Sequence, residues 1–192
     1  KIDTSMHQLL KWWYFTILGW KVEGSFPYHL KKSVVIVAPH THRNDFFLGV
    51  AFRKLLHLEF VRFLGKKELF VPPFSWILKS MGGSPVDRSK NNNMVDQVVQ
   101  LFNSNENFHL ALSPEGTRKK VTKLKTGFYH IAKNAHVPIV MIALDFENKR
   151  VVFAEPFETG ADMKADLRKI IDFFKQYKGK IPNWGISDKT EC

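Results

Sequence analysis

Cysteine is almost missing from this 192-residue chain: the single one, Cys192, is the last residue. An intrachain disulfide needs two thiols and a thiolate metal cluster needs several, so both are excluded and a reducing, cytosolic setting is expected. Acidic residues are outnumbered, 18 Asp and Glu against 29 Lys and Arg, which leaves a formal charge of +11. Such an excess calls for an anionic partner: nucleic acid, a phosphorylated metabolite, an acyl-CoA or acidic carrier protein, or an anionic membrane. Tyrosine is scarce, four residues against seventeen Phe. The aromatic surface is therefore mostly without hydroxyls, suited to a core or to an apolar ligand.

Long hydrophobic runs are lacking as well. No stretch reaches the roughly 18 to 20 apolar residues that a membrane span requires. The nearest is Leu9 to Trp20, interrupted by Lys11, and no small-residue cleavage site of a secretory signal follows it. Trp12, Trp13 and Trp20 suit a helix over 6–20 that lies in the headgroup layer, where an indole keeps one apolar and one wet side. The competing reading is a helix packed on its own domain.

Beyond that helix, short apolar runs alternate with helical periodicity. Strands are expected at Trp20–Glu23, Ser33–Ala38, Phe60–Leu64, Ser84–Asp87, Phe108–Leu112, Ile139–Phe146 and Arg150–Ala154. Helices are expected at Phe46–Leu56, Phe74–Lys79, Asn92–Phe102 and Gly127–Asn134, and in a last segment with Leu167, Ile170, Ile171 and Phe174 at helical spacing. The β-branched run Ser33–Ala38 reads as a strand buried on both faces. The alternation predicts one α/β domain over 1–192, a mostly parallel mixed sheet flanked by helices and preceded by the N-terminal amphipathic helix. No repeat or linker divides it, and 179–192 reads as an irregular polar surface tail.

Ligands of such sheets sit at the carboxyl ends of strands. One loop expected there, PHTHRNDFF, places His40, His42 and Asp45 within six residues. A tight turn can bring Asp45 against His40, and an imidazole oriented by a carboxylate is a general base. No Ser or Cys nucleophile is near, so the dyad would activate a hydroxyl of the substrate. Two other readings stay open: Asp45 as a helix cap, and His-x-His with a carboxylate as the start of a metal site. The remaining histidines (7, 29, 57, 109, 130 and 136) are scattered, so no metal ligand set is assigned.

The second loop follows the strand FHLAL and reads Ser113, Pro114, Glu115, Gly116, Thr117, Arg118. Gly116 permits a sharp turn, and the guanidinium of Arg118 fits a phosphate or carboxylate. Lys119, Lys120, Lys123 and Lys125 raise the local potential. Taken alone, the loop also reads as a solvated basic segment in which Glu115 pairs with Arg118.

H-x-x-x-x-D from His40 to Asp45, followed some 70 residues later by PEGTR, resembles the glycerophospholipid acyltransferase family. Two weaker blocks fall in that family's order, GGSPVDR (Gly82 to Arg88) and VPIV (Val137 to Val140), so the resemblance covers about residues 30–145. It implies that His40 deprotonates an acceptor hydroxyl, that Asp45 orients it, and that the alkoxide attacks an acyl thioester without an acyl-enzyme. It further implies an acceptor site of Arg88, Glu115, Gly116, Thr117 and Arg118, with Pro138 shaping its wall. Pro39, His42 and Ser113 depart from the residues common in the family, which leaves open a share for His42 in the role of His40.

The function expected from the resemblance is transfer of a fatty acyl chain from acyl-CoA or acyl carrier protein to an anionic lysolipid. The foremost acceptor is 1-acylglycerol-3-phosphate, with no cofactor, at the inner face of the cell membrane. O-acylation of an amino-acid lipid is the near alternative. A metal-dependent hydrolase and a basic nucleic-acid-binding module are the more distant ones, and the second lacks aromatic residues interleaved at strand spacing.

Overall fold

The computed structural model describes residues 2–66, 68, 70–72, 74–86 and 94–191. Its elements run, in chain order, helix α1 (Ile2–Lys11), a π-helical turn (Trp12–Ile17), strand β1 (Lys21–Glu23), β2 (Lys32–Ala38), α2 (Asn44–Leu55), β3 (Val61–Lys66) and α3 (Phe74–Ser80). They continue with β4 (Gly83–Val86), α4 (Met94–Ser104), β5 (Phe108–Leu112), α5 (Gly127–Ala135), β6 (Ile139–Asp145), β7 (Arg150–Phe153), α6 (Met163–Phe174) and a 3-10 turn (Pro182–Trp184). Element types match the periodicity throughout, with ends displaced by one to four residues; the expected positions Asp87, Asn92 and Asn93 lie outside the described residues.

The seven strands form one sheet in the order β1-β7-β6-β2-β5-β3-β4. Every neighbouring pair is parallel except β6 and β7, which are joined as an antiparallel hairpin through a turn where Lys149 has φ +50°. The single domain is thus α/β with a mostly parallel sheet, as the alternation predicts. Val34, Val35 and Ile36 are fully buried, because β2 lies at the centre with helices on both faces. Successive residues point to opposite faces of a strand. Val34, Ile36 and Ala38 accordingly join α4, α5 and α6 through Val98, Phe102, Ile131, Leu167 and Phe174, while Val35 joins α2 through Leu48 and Phe52. Helix α6 is started by Asp162, whose carboxylate accepts from the N–H groups of Lys164 (2.9 Å) and Ala165 (3.2 Å), an N-cap that satisfies two otherwise unpaired donors.

The N-terminal segment divides by residue between its two expected readings. Tyr14 and Phe15 pack edge-on against Phe52 of α2, whereas Leu9, Trp12, Trp13 and Ile17 stay about half exposed. Trp20 is a correction. It is buried to 8% exposure between Phe52 and Phe146, so it belongs to the core and offers no membrane-facing ring. Among the described residues, no helix is long and apolar enough to cross a membrane.

The segment 179–191 has no strand or α-helix besides the short 3-10 turn at Pro182–Trp184, and it is not a loose tail. Ile186 is buried in the core, and Glu191 forms a bridge with Lys123. Its apolar content was too sparse to announce this docking.

Candidate active site

Strands β2 and β5 are parallel neighbours, with Ile36 opposite Leu112. Their carboxyl ends therefore emerge side by side, and two loops some 75 residues apart in sequence meet over one end of the sheet. This is the geometry in which an α/β sheet presents a site.

Asp45 is the second residue of α2 and almost wholly buried (2% exposed). Its Oδ2 accepts from the backbone N–H groups of Thr41 and His42, each at 2.7 Å. The carboxylate thus reaches back into the loop rather than forward to the first turn of the helix, and the capping reading gives way to one in which Asp45 folds the loop. His40 follows from that fold: its Nδ1 stands 3.6 Å from Asp45 Oδ2, slightly beyond hydrogen-bond length. Catalytic contacts of this kind are commonly long before substrate binds. Asp45 Oδ1 is buried with no hydrogen-bond partner among the described residues, so the carboxylate has acceptor capacity in reserve.

The opposite ring nitrogen faces Arg118, whose Nε–H donates to His40 Nε2 at 3.3 Å. An imidazole that accepts at Nε2 carries its proton on Nδ1 when neutral, toward Asp45. Burial is the foremost influence on this imidazole and moves its pKa below 6.5; Asp45 opposes that shift and Arg118 adds to it. The ring is held neutral, the state a base needs. His42 is placed differently, with its Nδ1 accepting from the N–H of Asn44 at 3.1 Å.

Glu115 is buried to 1% exposure, and its Oε2 accepts from the N–H of His40 at 2.6 Å and from Ser113 Oγ at 3.3 Å. The first bond joins the two loops and the second stays within the Glu115 loop, so Glu115 braces the backbone of His40 rather than pairing with Arg118. Burial pushes the Glu115 carboxyl up to about 7, against the lowering effect of those two hydrogen bonds. Gly116 has φ +66°, and a Cβ there would lie 2.9 Å from Lys125 Cγ, so the turn that releases Arg118 into the site requires glycine. Thr117 is exposed, its Oγ1 accepting from the N–H of Lys119 at 3.3 Å.

Two expected members stand apart. Arg88 lies outside the described residues. Pro138 is a correction: its carbonyl accepts from the N–H of Val34 at 3.0 Å, at the start of β2. Six residues separate Val34 from His40, about 20 Å at strand rise, so Pro138 is at the other end of the sheet and cannot wall this site. Two hollows, of about 380 and 450 Å³, lie away from the dyad, along α3 and the β4 edge. The second is mostly apolar, lined by Phe70, Val71 and Pro85. Among the described residues, no three His, Cys, Asp or Glu side chains converge as metal ligands.

The Acyltransferase family model matches residues 19–145, about two thirds of the chain and both loops. The chain belongs to the acyltransferase family. A curated relative, the 1-acyl-sn-glycerol-3-phosphate acyltransferase of Haemophilus influenzae, is 27% identical over 144 residues, which is 71% of this chain and 59% of that protein. The acyltransferase chain thus spans less than two thirds of that relative's length. Its fold is shared with the crystal structure of the 1-acyl-sn-glycerophosphate acyltransferase of Thermotoga maritima, at a TM-score of 0.57 and 19% identity over 90% of this chain and 76% of that one.

Sequence reasoning missed Thr41, within the His40–Asp45 loop, and the segment from Gly179 onward, which contacts that loop. Thr41 is 2% exposed and its Oγ1 accepts from the N–H of Ile181 at 3.0 Å. No local pattern signals such a contact across 140 residues.

Proposed function

We propose that this protein transfers a fatty acyl chain from an acyl thioester to the free hydroxyl of a lysophospholipid, foremost 1-acylglycerol-3-phosphate, in phospholipid synthesis. The observation that carries the reading is the pair of contacts on one imidazole, Asp45 on Nδ1 and Arg118 on Nε2. A base and an anion clamp are there adjacent, as an acceptor bearing both a hydroxyl and a phosphate requires.

When the phosphate draws Arg118 away, Nε2 is free to take the proton of the acceptor hydroxyl. The oxygen attacks the thioester carbonyl carbon, the tetrahedral intermediate collapses with cleavage of the C–S bond, and the imidazolium returns its proton to the departing thiolate. Asp45 steadies the imidazolium through Nδ1–H. Arg118, with Arg88 and the lysines after it, holds the phosphate. Ser113 is occupied by Glu115, which supports direct transfer over an acyl-enzyme. The chain's charge of +11 suits acyl-CoA or an acidic carrier protein as donor. Exposed Leu9, Trp12, Trp13 and Ile17 support peripheral attachment to the inner face of the cell membrane.

Incubation with mixed lysolipids and a long-chain acyl thioester, followed by identification of the lipid that gains a chain, tests this. Acylated lysophosphatidate is expected. An acylated amino-acid lipid would change the acceptor; hydrolysis abolished by a chelator would replace the reading with a metal-dependent hydrolase.

A further inference from the structure

The segment Gly179–Glu191, beyond the region matched by the family model, crosses the carboxyl ends of three central strands. Just before it, the carbonyl of Lys178 accepts from Phe146 N–H at 2.8 Å, after β6. After β2, Ile181 N–H donates to Thr41 Oγ1 at 3.0 Å. After β5, Leu124 N–H donates to Glu191 O at 3.3 Å, and Glu191 N–H donates to Thr122 O at 2.7 Å. Between these ties Ile186 is buried in the core, and a turn is closed by Ser187 N–H donating to Thr190 Oγ1 at 3.0 Å.

The contact after β2 is tight. A Cβ on Gly179 would lie 2.6 Å from Thr41 Oγ1, 2.8 Å from Thr41 Cγ2 and 3.0 Å from Pro39 Cβ, and one on Gly185 would lie 3.5 Å from Pro39. Pro39 and Thr41 flank His40 on both sides, and Thr41 also gives its N–H to Asp45. The segment thus packs on the side chains of the two residues that flank His40.

We propose that Gly179–Glu191 is a positioning strap for the active site, acting through Thr41 to hold His40 and Asp45 in register with the loop that carries Arg118. Thr41, Gly179 and Ile181 are positioning residues: none bears chemistry, and each sets where the imidazole stands. The proposal rests on the acyltransferase reading for its kinetic consequence, but its structural consequence at His40 does not.

The test compares Thr41→Val, Thr41→Ser and Gly179→Ala with the unaltered chain. Misplacing a reacting group by about 1 Å costs as much as 100-fold. Thr41→Val and Gly179→Ala should lower kcat about tenfold or more while the acceptor KM changes little and the chain stays folded, the urea midpoint of Thr41→Val falling because Ile181 N–H loses its acceptor. Thr41→Ser, which keeps the acceptor oxygen, should restore most of kcat. Nitrogen-15 NMR of the His40 ring reads the same displacement without turnover. Its titration should move upward in Thr41→Val, as the ring gains water, and return in Thr41→Ser. Unchanged kcat and an unchanged His40 titration in folded Thr41→Val and Gly179→Ala would overturn the strap. An inactive parent whose His40 titration still responds to Thr41→Val would retain the strap and overturn the acyltransferase reading instead. If Thr41→Val fails to fold, the same two readouts on Gly179→Ala decide.

Discussion

Arg118 and His40 touch: the guanidinium Nε–H donates to the imidazole Nε2 at 3.3 Å, from loops that follow neighbouring parallel strands. A neutral imidazole that accepts there carries its proton on Nδ1, and its Nε2 lone pair is engaged by Arg118. In the proposed mechanism, anion binding by Arg118 and release of His40 as the base become one event. An acceptor without its phosphate would leave Arg118 where it is, which links recognition to reactivity without a moving domain.

Arg118→Ala should therefore raise the acceptor KM by roughly 10- to 100-fold, the equivalent of one hydrogen bond to a charged group, with the donor KM little changed. Steady-state kinetics with each substrate varied in turn checks this. Weakening of the donor alone would make the basic loop a dock for the donor's phosphates.

His40→Ala should lower kcat by on the order of 100- to 10,000-fold with the circular dichroism spectrum unchanged, since a positioned base contributes about that much. His42→Ala should cost far less, because that ring accepts from Asn44 N–H. Equal losses would place the base on His42.

The pH dependence has a defined sign. His40 is depressed below 6.5, first by burial, and a base works when unprotonated, so the acid limb of kcat/KM should fall below pH 6.5. Arg118→Gln removes one lowering influence and should move that limb upward. A limb that stays in place would mean that the titrating group is not His40.

Glu115 is raised from 4.5 to about 7, so the folded chain holds its proton more tightly than the unfolded chain does. Its contribution to stability is full below about 4.5 and is lost as pH rises through about 7. Glu115→Gln should remove that loss while retaining an acceptor for His40 N–H, and should flatten the urea midpoint between about pH 5 and 8. Glu115→Ala should flatten the same dependence and lie about 1–3 kcal/mol below Glu115→Gln in stability, because it strands a buried N–H.

The tryptophans should separate. Trp12→Ser with Trp13→Ser should release the protein from anionic vesicles in a sedimentation assay and leave activity on detergent-dispersed acceptor nearly intact. Trp20→Ala should instead cost about 3–5 kcal/mol of stability, as burial against Phe52 and Phe146 dictates. Vesicle binding that survives the double change would move the membrane contact elsewhere.

Element types were legible in the sequence because burial writes its own period. A β-branched run such as Ser33–Ala38 has few stable fates besides a strand covered on both faces, and Leu167, Ile170, Ile171 and Phe174 can share a face only on a helix. The His40–Asp45 spacing was legible for the same local reason, since a carboxylate five residues on can fold a loop onto its own N–H groups. Tertiary structure alone decided the rest. It set Glu115 on His40 rather than on Arg118, sent Pro138 to the far end of the sheet, buried Trp20 against Phe52 and Phe146 while Trp13 stayed half exposed, and laid Gly179–Glu191 across the site. Each of these depends on which strands become neighbours and in what register. That choice is made by packing summed over the whole sheet, and no short stretch of residues carries it.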